Sequence, residues 1–395
     1  MKKHLVVLLV TLLLAALPIF ALAQTAEDFT PSCKFKASAN AGKLKNLRDG
    51  KYTTSWRANA SLKAYVEIHA PKGQTIGGVY VKWYNEAPKW RVTVKRGDRW
   101  EDVALSETGF LAEYLPVPGD AASVRICPAE GEKSNLRMSE LRVYGAGDPP
   151  PDVQRWNPVP SKCDLLVIAA HPDDELLFMG GTIPYYAGEL GKSVEVLYLV
   201  PSSVERRLEL LDGLWLCGAK NYPIYGVMRD NFAMSLKVMY RKWSKNKLDN
   251  LVVGAIRQCR PDVIVTHDVK GEYGHGAHRA AADASKRCIT DAANPKKYPK
   301  SEALYGTWQV SKLYLHLYDK NQITMDWRVP LSAFDGKTAF DMAQAGFRLH
   351  LSQQDTEYVV RDDGPYDNRK FGLYYTSVGE DVLKNDFLEN VNGAQ

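Results

Sequence analysis

The sequence predicts two domains: an all-β sandwich followed by an α/β domain whose mostly parallel sheet is covered by helices. Three observations carry this. From about residue 30 to 146, apolar residues come in short alternating runs ("AYVEIHA", "IGGVYVKWY", "WRVTVKR", "ELRVYG") separated by turn residues. Short strands at regular spacing with little helical periodicity are the mark of a β-sandwich. From about residue 161 the texture changes. Continuous apolar runs ("CDLLVIAA", "SVEVLYLV", "PDVIVTHD") alternate with helical stretches such as "ERRLELLDGLWLC" and "LDNLVVGAIRQC". Strands that read as buried on both faces, alternating with helices, indicate a parallel sheet. Between the two textures lies "GAGDPPPDVQRWNPVP", Gly145–Pro160, whose prolines exclude regular structure, so residues 147–160 are expected to link the domains.

The chain opens with "MKKHLVVLLVTLLLAALPIFALAQ", a basic start, an apolar run and the small-x-small sequence Ala21-Leu22-Ala23. This predicts a secretory signal peptide over residues 1–23, with an uncleaved anchor as the alternative. The mature protein is then expected to be secreted, extracellular or on the cell surface. No later stretch is long and apolar enough for an integral membrane segment. The 395 residues suit two domains, and 45% hydrophobic with 25% charged residues is ordinary for a globular protein. The net charge of +5 falls to about +3 without Lys2 and Lys3, too little and too scattered for a nucleic-acid partner. Six cysteines and an export signal permit disulfides. Cys33 and Cys127 bracket the front domain and are the first pair to expect; pairing among Cys163, Cys217, Cys259 and Cys288 stays open. No two are spaced C-x-x-C, which argues against a cysteine zinc site.

The chemistry concentrates at strand ends. "HPDDE", His171–Glu175, follows "LLVIAA", and "THDVKGEYGHGAH" follows "PDVIV". Ligands in parallel α/β sheets sit beyond the carboxyl ends of strands. Together the two loops offer His171, Asp173, Asp174, Glu175, His267, Asp268, Glu272, His275 and His278. Imidazole with carboxylate is the ligand set of a catalytic zinc, and it suits Fe2+, Co2+ or Ni2+ as well. His171 and Asp174, three apart across a turn fixed by Pro172, can reach one ion while Asp173 points elsewhere as a base. Of His275 and His278, also three apart, one can ligate while the other faces the substrate. A water beside the metal, a base and a protonatable histidine are apparatus for hydrolysing an amide or ester. Alone, "HPDDE" could also be a helix N-cap with favourably placed acids. "FMGGT", Phe178–Thr182, lacks the spacing of a phosphate loop and reads as small residues packing a helix on a sheet. His316 and His350 read as structural.

"AAHPDDE" followed by "GEYGHGAH" resembles the PIG-L/LmbE-like zinc-dependent N-acetylglucosaminyl deacetylases, over roughly residues 161–320. The resemblance implies a Rossmann-like sheet, zinc held by His171, Asp174 and His278, and Asp173 as general base. It implies that His275 protonates the leaving amine or stabilises the oxyanion, and that Tyr273 polarises the carbonyl. "RRLEL" and "MRDN" match stretches that place Arg206 and Asp230 on the sugar. One departure stands out. Many members read Gly-His-Pro-Asp-His where this chain reads Gly-His-Gly-Ala-His, and Ala277 leaves His278 without that carboxylate to orient it. The α/β domain is expected over residues 161–395, its tail forming a rim over the site.

"LRDGKYTTSW" and "LRMSELRVYG" frame a front domain that resembles the discoidin, or coagulation-factor type C, galactose-binding-like jelly roll. The resemblance implies a carbohydrate-binding domain over residues 30–146. Lys51 replaces the second acid of the Asp-Gly-Asp calcium segment, which weakens any expectation of Ca2+ there. Trp56, Trp83, Trp90 and Trp100 are expected to be core more than binding face. The function that follows is a secreted N-deacetylase acting on N-acetylhexosamine (GlcNAc or GalNAc) in a glycan. The alternatives are a glycan-binding adhesin without turnover, or a metal hydrolase of another amide or ester.

Overall fold

The computed structural model describes residues 24–354 and 357–391; the leader expected over residues 1–23 lies outside the described residues. Nine strands form the front part: β1 (Lys34–Ala37), β2 (Trp56–Ala58), β3 (Val66–His69), β4 (Gly78–Trp83), β5 (Trp90–Arg96), β6 (Arg99–Ser106), β7 (Ala112–Pro116), β8 (Ser123–Pro128) and β9 (Leu136–Tyr144). They make two antiparallel sheets, in the orders β1-β3-β8-β5-β6 and β2-β9-β4-β7. The alternating pattern turns one side chain in two inward. Trp56, Trp83 and Trp90 are fully buried between the sheets, and Trp83 and Trp90 meet edge to face with centroids 5.5 Å apart. Trp100 stands outside this core, under the Arg125 guanidinium at 4.0 Å.

The back part is built on β10 (Leu165–Ala169), β11 (Val194–Tyr198), β12 (Ile224–Tyr225), β13 (Val263–Thr266), β14 (Lys312–His316), β15 (Gln322–Thr324) and β16 (Lys370–Thr376). The sheet order is β12-β11-β10-β13-β14-β16-β15. The first five strands are parallel, and β16 and β15 pair antiparallel beyond β14. Its helices are α1 (Asp174–Leu177), α2 (Val204–Leu216), α3 (Leu236–Lys242), α4 (Lys245–Cys259), α5 (Gly276–Ala292), α6 (Pro299–Tyr305) and α7 (Ala339–Phe347). Strand order reverses between β10 and β13, so a crevice opens beyond their carboxyl ends. "HPDDE" follows β10 and "HDVKGEYGHGAH" follows β13, which places both loops at that crevice. No helix among the described residues is long and apolar enough to cross a membrane.

The segment Gly145–Pro160 is a packed wedge more than a spacer. Val153, Gln154 and Trp156 are buried, and Trp156 meets Trp215 and Tyr222 edge to face. Phe110 of the front part stacks on Tyr222 of the back part at 4.1 Å, and the Tyr222 hydroxyl accepts from the Leu111 N–H at 3.0 Å. Asp212 on α2 ties the parts together. It accepts from the Tyr52 hydroxyl, the Lys82 ammonium and, at 2.6 Å, the Gln154 amide. Asp212→Ala strands the buried Lys82 charge and is expected to destabilise the protein by about 2 kcal/mol, discounted from a fully buried pair because Asp212 is partly exposed. The check is a lower urea midpoint at unchanged slope; an unchanged midpoint would remove Asp212 from the interdomain account.

The expected Cys33–Cys127 pair is not brought together, and all six cysteines are free thiols. Lys34 sits level with His69 and Ser123, whereas Ala37 is level with Val66 and Ile126. Cys33 therefore lies just before β1 at one end of the sheet and Cys127 within β8 near the other, about 16 Å apart along the strands. Bracketing a domain in sequence says nothing about which strand ends coincide. The "FMGGT" glycines do not pack a helix on the sheet as expected: they lie in the turn after α1, where a Cβ on Gly181 would come within 2.5 Å of the Trp327 ring and one on Gly180 within 2.3 Å of the Asn368 amide.

Candidate metal centre and active site

β10 delivers Ala170 and His171 to the crevice, and Pro172 turns the chain into α1, which begins at Asp174. The turn folds the Asp174 carboxylate back on its own loop. Oδ2 accepts the His171 N–H at 2.7 Å and lies 3.2 Å from His171 Nδ1. Asp173, the residue between, has φ 118°, a backbone conformation that non-glycine residues rarely adopt and that clusters at functional sites. Its N–H donates to Glu175 Oε2 at 3.0 Å. The contortion points neighbouring carboxylates to different places.

From the other loop, α5 brings His278 to the same point. His278 Nδ1 is 2.8 Å from Glu272 Oε2 and so carries a hydrogen, which in the neutral ring is its only N–H. Nε2 then bears a lone pair. It is buried without a hydrogen-bond donor and faces Asp174 Oδ1 at 3.3 Å. Two acceptors facing each other in a dry site are satisfied by a cation or a proton between them. Ligand atoms bound tetrahedrally at about 2.0–2.1 Å sit about 3.3 Å apart, and the 3.2 and 3.3 Å spacings around Asp174 match that. His171 and His278 thus each stand beside a different oxygen of Asp174, with donors of the kinds that hold a divalent ion.

Among the described residues the sets whose ligating atoms all gather within 4.8 Å are His171, His275 and His278, and Asp174, His267 and His278; the expected three, His171, Asp174 and His278, share members with both but are not gathered as one set. His267 is committed elsewhere. Its Nδ1 is 2.8 Å from Glu272 Oε2, and its Nε2 accepts the Ala170 N–H at 3.0 Å. His275 is nearly buried with Nδ1 unpartnered, its ring centroid 5.0 Å from that of His171 and 4.8 Å from that of His278. Burial first, and then the nearby His278 and His171, push its pKa down to about 3.

Glu272 holds this arrangement, and it supplies the orienting carboxylate that Ala277 does not. Fully buried, it takes His267 and His278 on Oε2, and His316 at 2.7 Å with the Asp268 N–H at 3.1 Å on Oε1. Burial alone would raise its pKa; the attraction of His267 and the hydrogen bonds from His267, His278 and His316 outweigh that and hold it well below the usual carboxylate range. His316 passes the network on, with Nε2 3.1 Å from the Asp367 carbonyl.

The remaining predicted residues lie close by. Arg206, in the first turn of α2 above the Ser203 cap, donates to Asp173 Oδ2 at 2.9 Å and to the Pro172 carbonyl at 2.7 Å. The guanidinium therefore grips the predicted base. Burial, then the Asp174 charge, push the Asp173 pKa up to about 7 against the pull of Arg206. Asp230 is largely exposed at the mouth, 3.8 Å from His171 Nε2. Tyr273 has φ 43° and stacks on Tyr358 at 4.7 Å, its ring 5.2 Å from that of His278. Phe232, 66% exposed, lies 5.4 Å from the His275 ring. Sequence reasoning missed Phe232 and Tyr358, which are isolated aromatics without a motif. It named Glu272 and His267 in the polar cluster but gave them no role.

Such a crevice, with a cation site, a gripped carboxylate and a histidine beside it, belongs to hydrolases. Residues 166–289 match the PIG-L family, described as GlcNAc-PI de-N-acetylase. The 1D-myo-inositol 2-acetamido-2-deoxy-alpha-D-glucopyranoside deacetylase 1 of Frankia casuarinae is 28% identical over 237 residues, covering 51% of this chain and 74% of its own. Among solved structures, the N,N'-diacetylchitobiose deacetylase from Pyrococcus horikoshii aligns at 20% identity with a TM-score of 0.35, over 48% of this chain and 70% of its own. The family 32 CBM from C. perfringens NanJ in complex with galactose aligns at 16% identity with a TM-score of 0.25, over 30% of this chain and 98% of its own. The protein is a hydrolase of the carbohydrate N-deacetylase class.

Proposed function

We propose that this chain is exported and hydrolyses the acetamide of an N-acetylhexosamine in a glycan. The observation that carries the reading is the buried lone pair of His278 Nε2 facing Asp174 Oδ1, a place built for a cation. A divalent ion held by His171, Asp174 and His278, with zinc first in view of the nitrogen and oxygen donors, would supply a water of lowered pKa and polarise the amide carbonyl. Asp173 takes the proton from the attacking water, with Arg206 holding its carboxylate in place. His275, unprotonated at rest, stabilises the oxyanion or passes to the leaving nitrogen the proton taken from the water, and the Tyr273 hydroxyl donates to the carbonyl oxygen. Phe232 and Tyr358 offer apolar faces at the mouth, where a sugar ring has its C–H faces, and Asp230 offers an acceptor for hydroxyls. The relatives' 2-acetamido sugar points to the same reacting group. The front domain, docked through Asp212 and Tyr222, would hold a polymeric or cell-surface glycan near the site.

The test is acetate release from a panel of N-acetylhexosamine glycans. Chelation is expected to reduce release to background and zinc to restore it. Release that persists after the metal is shown to be gone would sink the metal assignment. No release across the panel by metal-loaded protein would sink the N-acetylhexosamine assignment.

A further inference from the structure

We propose that Cys163 and Cys259 join as a disulfide when the chain folds in an oxidising compartment. Cys163 lies two residues before the start of β10, and Cys259 ends α4. The Cys163 N–H donates to the Cys259 carbonyl at 2.7 Å, and the Cys163 carbonyl accepts the Asp262 N–H at 3.3 Å. Residues joined by such a main-chain bond have Cα atoms roughly 5–6 Å apart, inside the range a disulfide spans. Both side chains are buried, at 1% and 0% exposure, in one apolar cluster. The two thiols are near enough to influence each other, and the Cys259 thiol donates to the Ala255 carbonyl at 3.1 Å, a bond the disulfide would replace. The other four cysteines find different surroundings. Cys217 donates to the Met342 carbonyl at 3.4 Å, Cys288 to the Asp249 carbonyl at 3.7 Å, and Cys33 and Cys127 sit at opposite ends of their sheet.

The step balances with a small disulfide such as oxidised glutathione as oxidant. One thiolate attacks it to give a mixed disulfide and release one glutathione thiol. The second cysteine then displaces the other glutathione, so two protein thiols are oxidised to one S–S bond and one disulfide is reduced to two thiols. Burial pushes the Cys163 pKa up and keeps the thiol inert in the finished fold, so the bond forms while β10 and α4 are still accessible. The bond would staple the amino end of β10 to the helix that leads into β13. Those two strands present the two halves of the metal site at their other ends.

The experiment refolds the full chain with oxidised glutathione, or with dithiothreitol, and reads three quantities. After oxidation, four thiols instead of six should titrate in denaturant. Non-reducing peptide mapping should find Cys163 and Cys259 in one joined peptide. The thermal midpoint should exceed that of the reduced protein by roughly 5 °C. Cys163→Ser should remove the joined peptide and the difference between the two conditions. Because the main comparison uses the unmutated chain, a variant that folds poorly leaves the outcome readable. Six titrating thiols after oxidation, or a joined peptide carrying a different pair, would overturn the proposal.

Discussion

Asp173→Asn is expected to bind one equivalent of divalent metal and to lose activity by about 10²–10⁴-fold, the usual contribution of a positioned general base. The substitution keeps the shape and removes the charge. The three proposed ligands, His171, Asp174 and His278, do not include Asp173, whose side chain accepts from Arg206 and whose backbone has φ 118°. His171→Ala provides the contrast, because it should lose metal and rate together. Metal content by elemental analysis, measured on the protein used for the rate assay, separates the two outcomes. Undiminished turnover in Asp173→Asn would end its assignment as base, and loss of metal would show that it is a ligand.

Glu272→Gln should weaken metal binding 10–100-fold, as removal of an orienting carboxylate commonly does. It should also destabilise the protein by about 3 kcal/mol, because one buried anion answers three imidazoles. An amide can accept on one atom only, so at least one Nδ1–H of His267, His278 or His316 would face another donor. A metal titration followed by thermal denaturation with and without zinc reads both effects. Equal destabilisation with unchanged zinc affinity would make Glu272 a core residue with no hold on the site.

Much of the site was legible because its parts are local. His171 and Asp174 are three residues apart across a proline turn, a spacing that limits how far apart their side chains can point. The strand preceding "HPDDE" announces itself as five consecutive apolar residues, Leu165–Ala169, all buried. Other elements were not legible. Glu272 lies six residues before His278, in a loop with no periodicity to say where its side chain turns. His316, its partner from β14, is 44 residues further on. Arg206 was expected on the sugar, and its grip on Asp173 depends on α2 returning over the β10 loop.

By itself, then, the sequence determined the sandwich-then-α/β order, the two loops that carry the chemistry, and the ligand types. Apolar periodicity and short-range spacing are properties of the chain alone. Tertiary structure decided which histidine nitrogens are free, which carboxylate orients them, how the linker packs, and which cysteines lie together. Each of these depends on strand order. β10 and β13 become neighbours only when the sheet forms with a crossover, and contacts between residues about a hundred positions apart are settled by that packing.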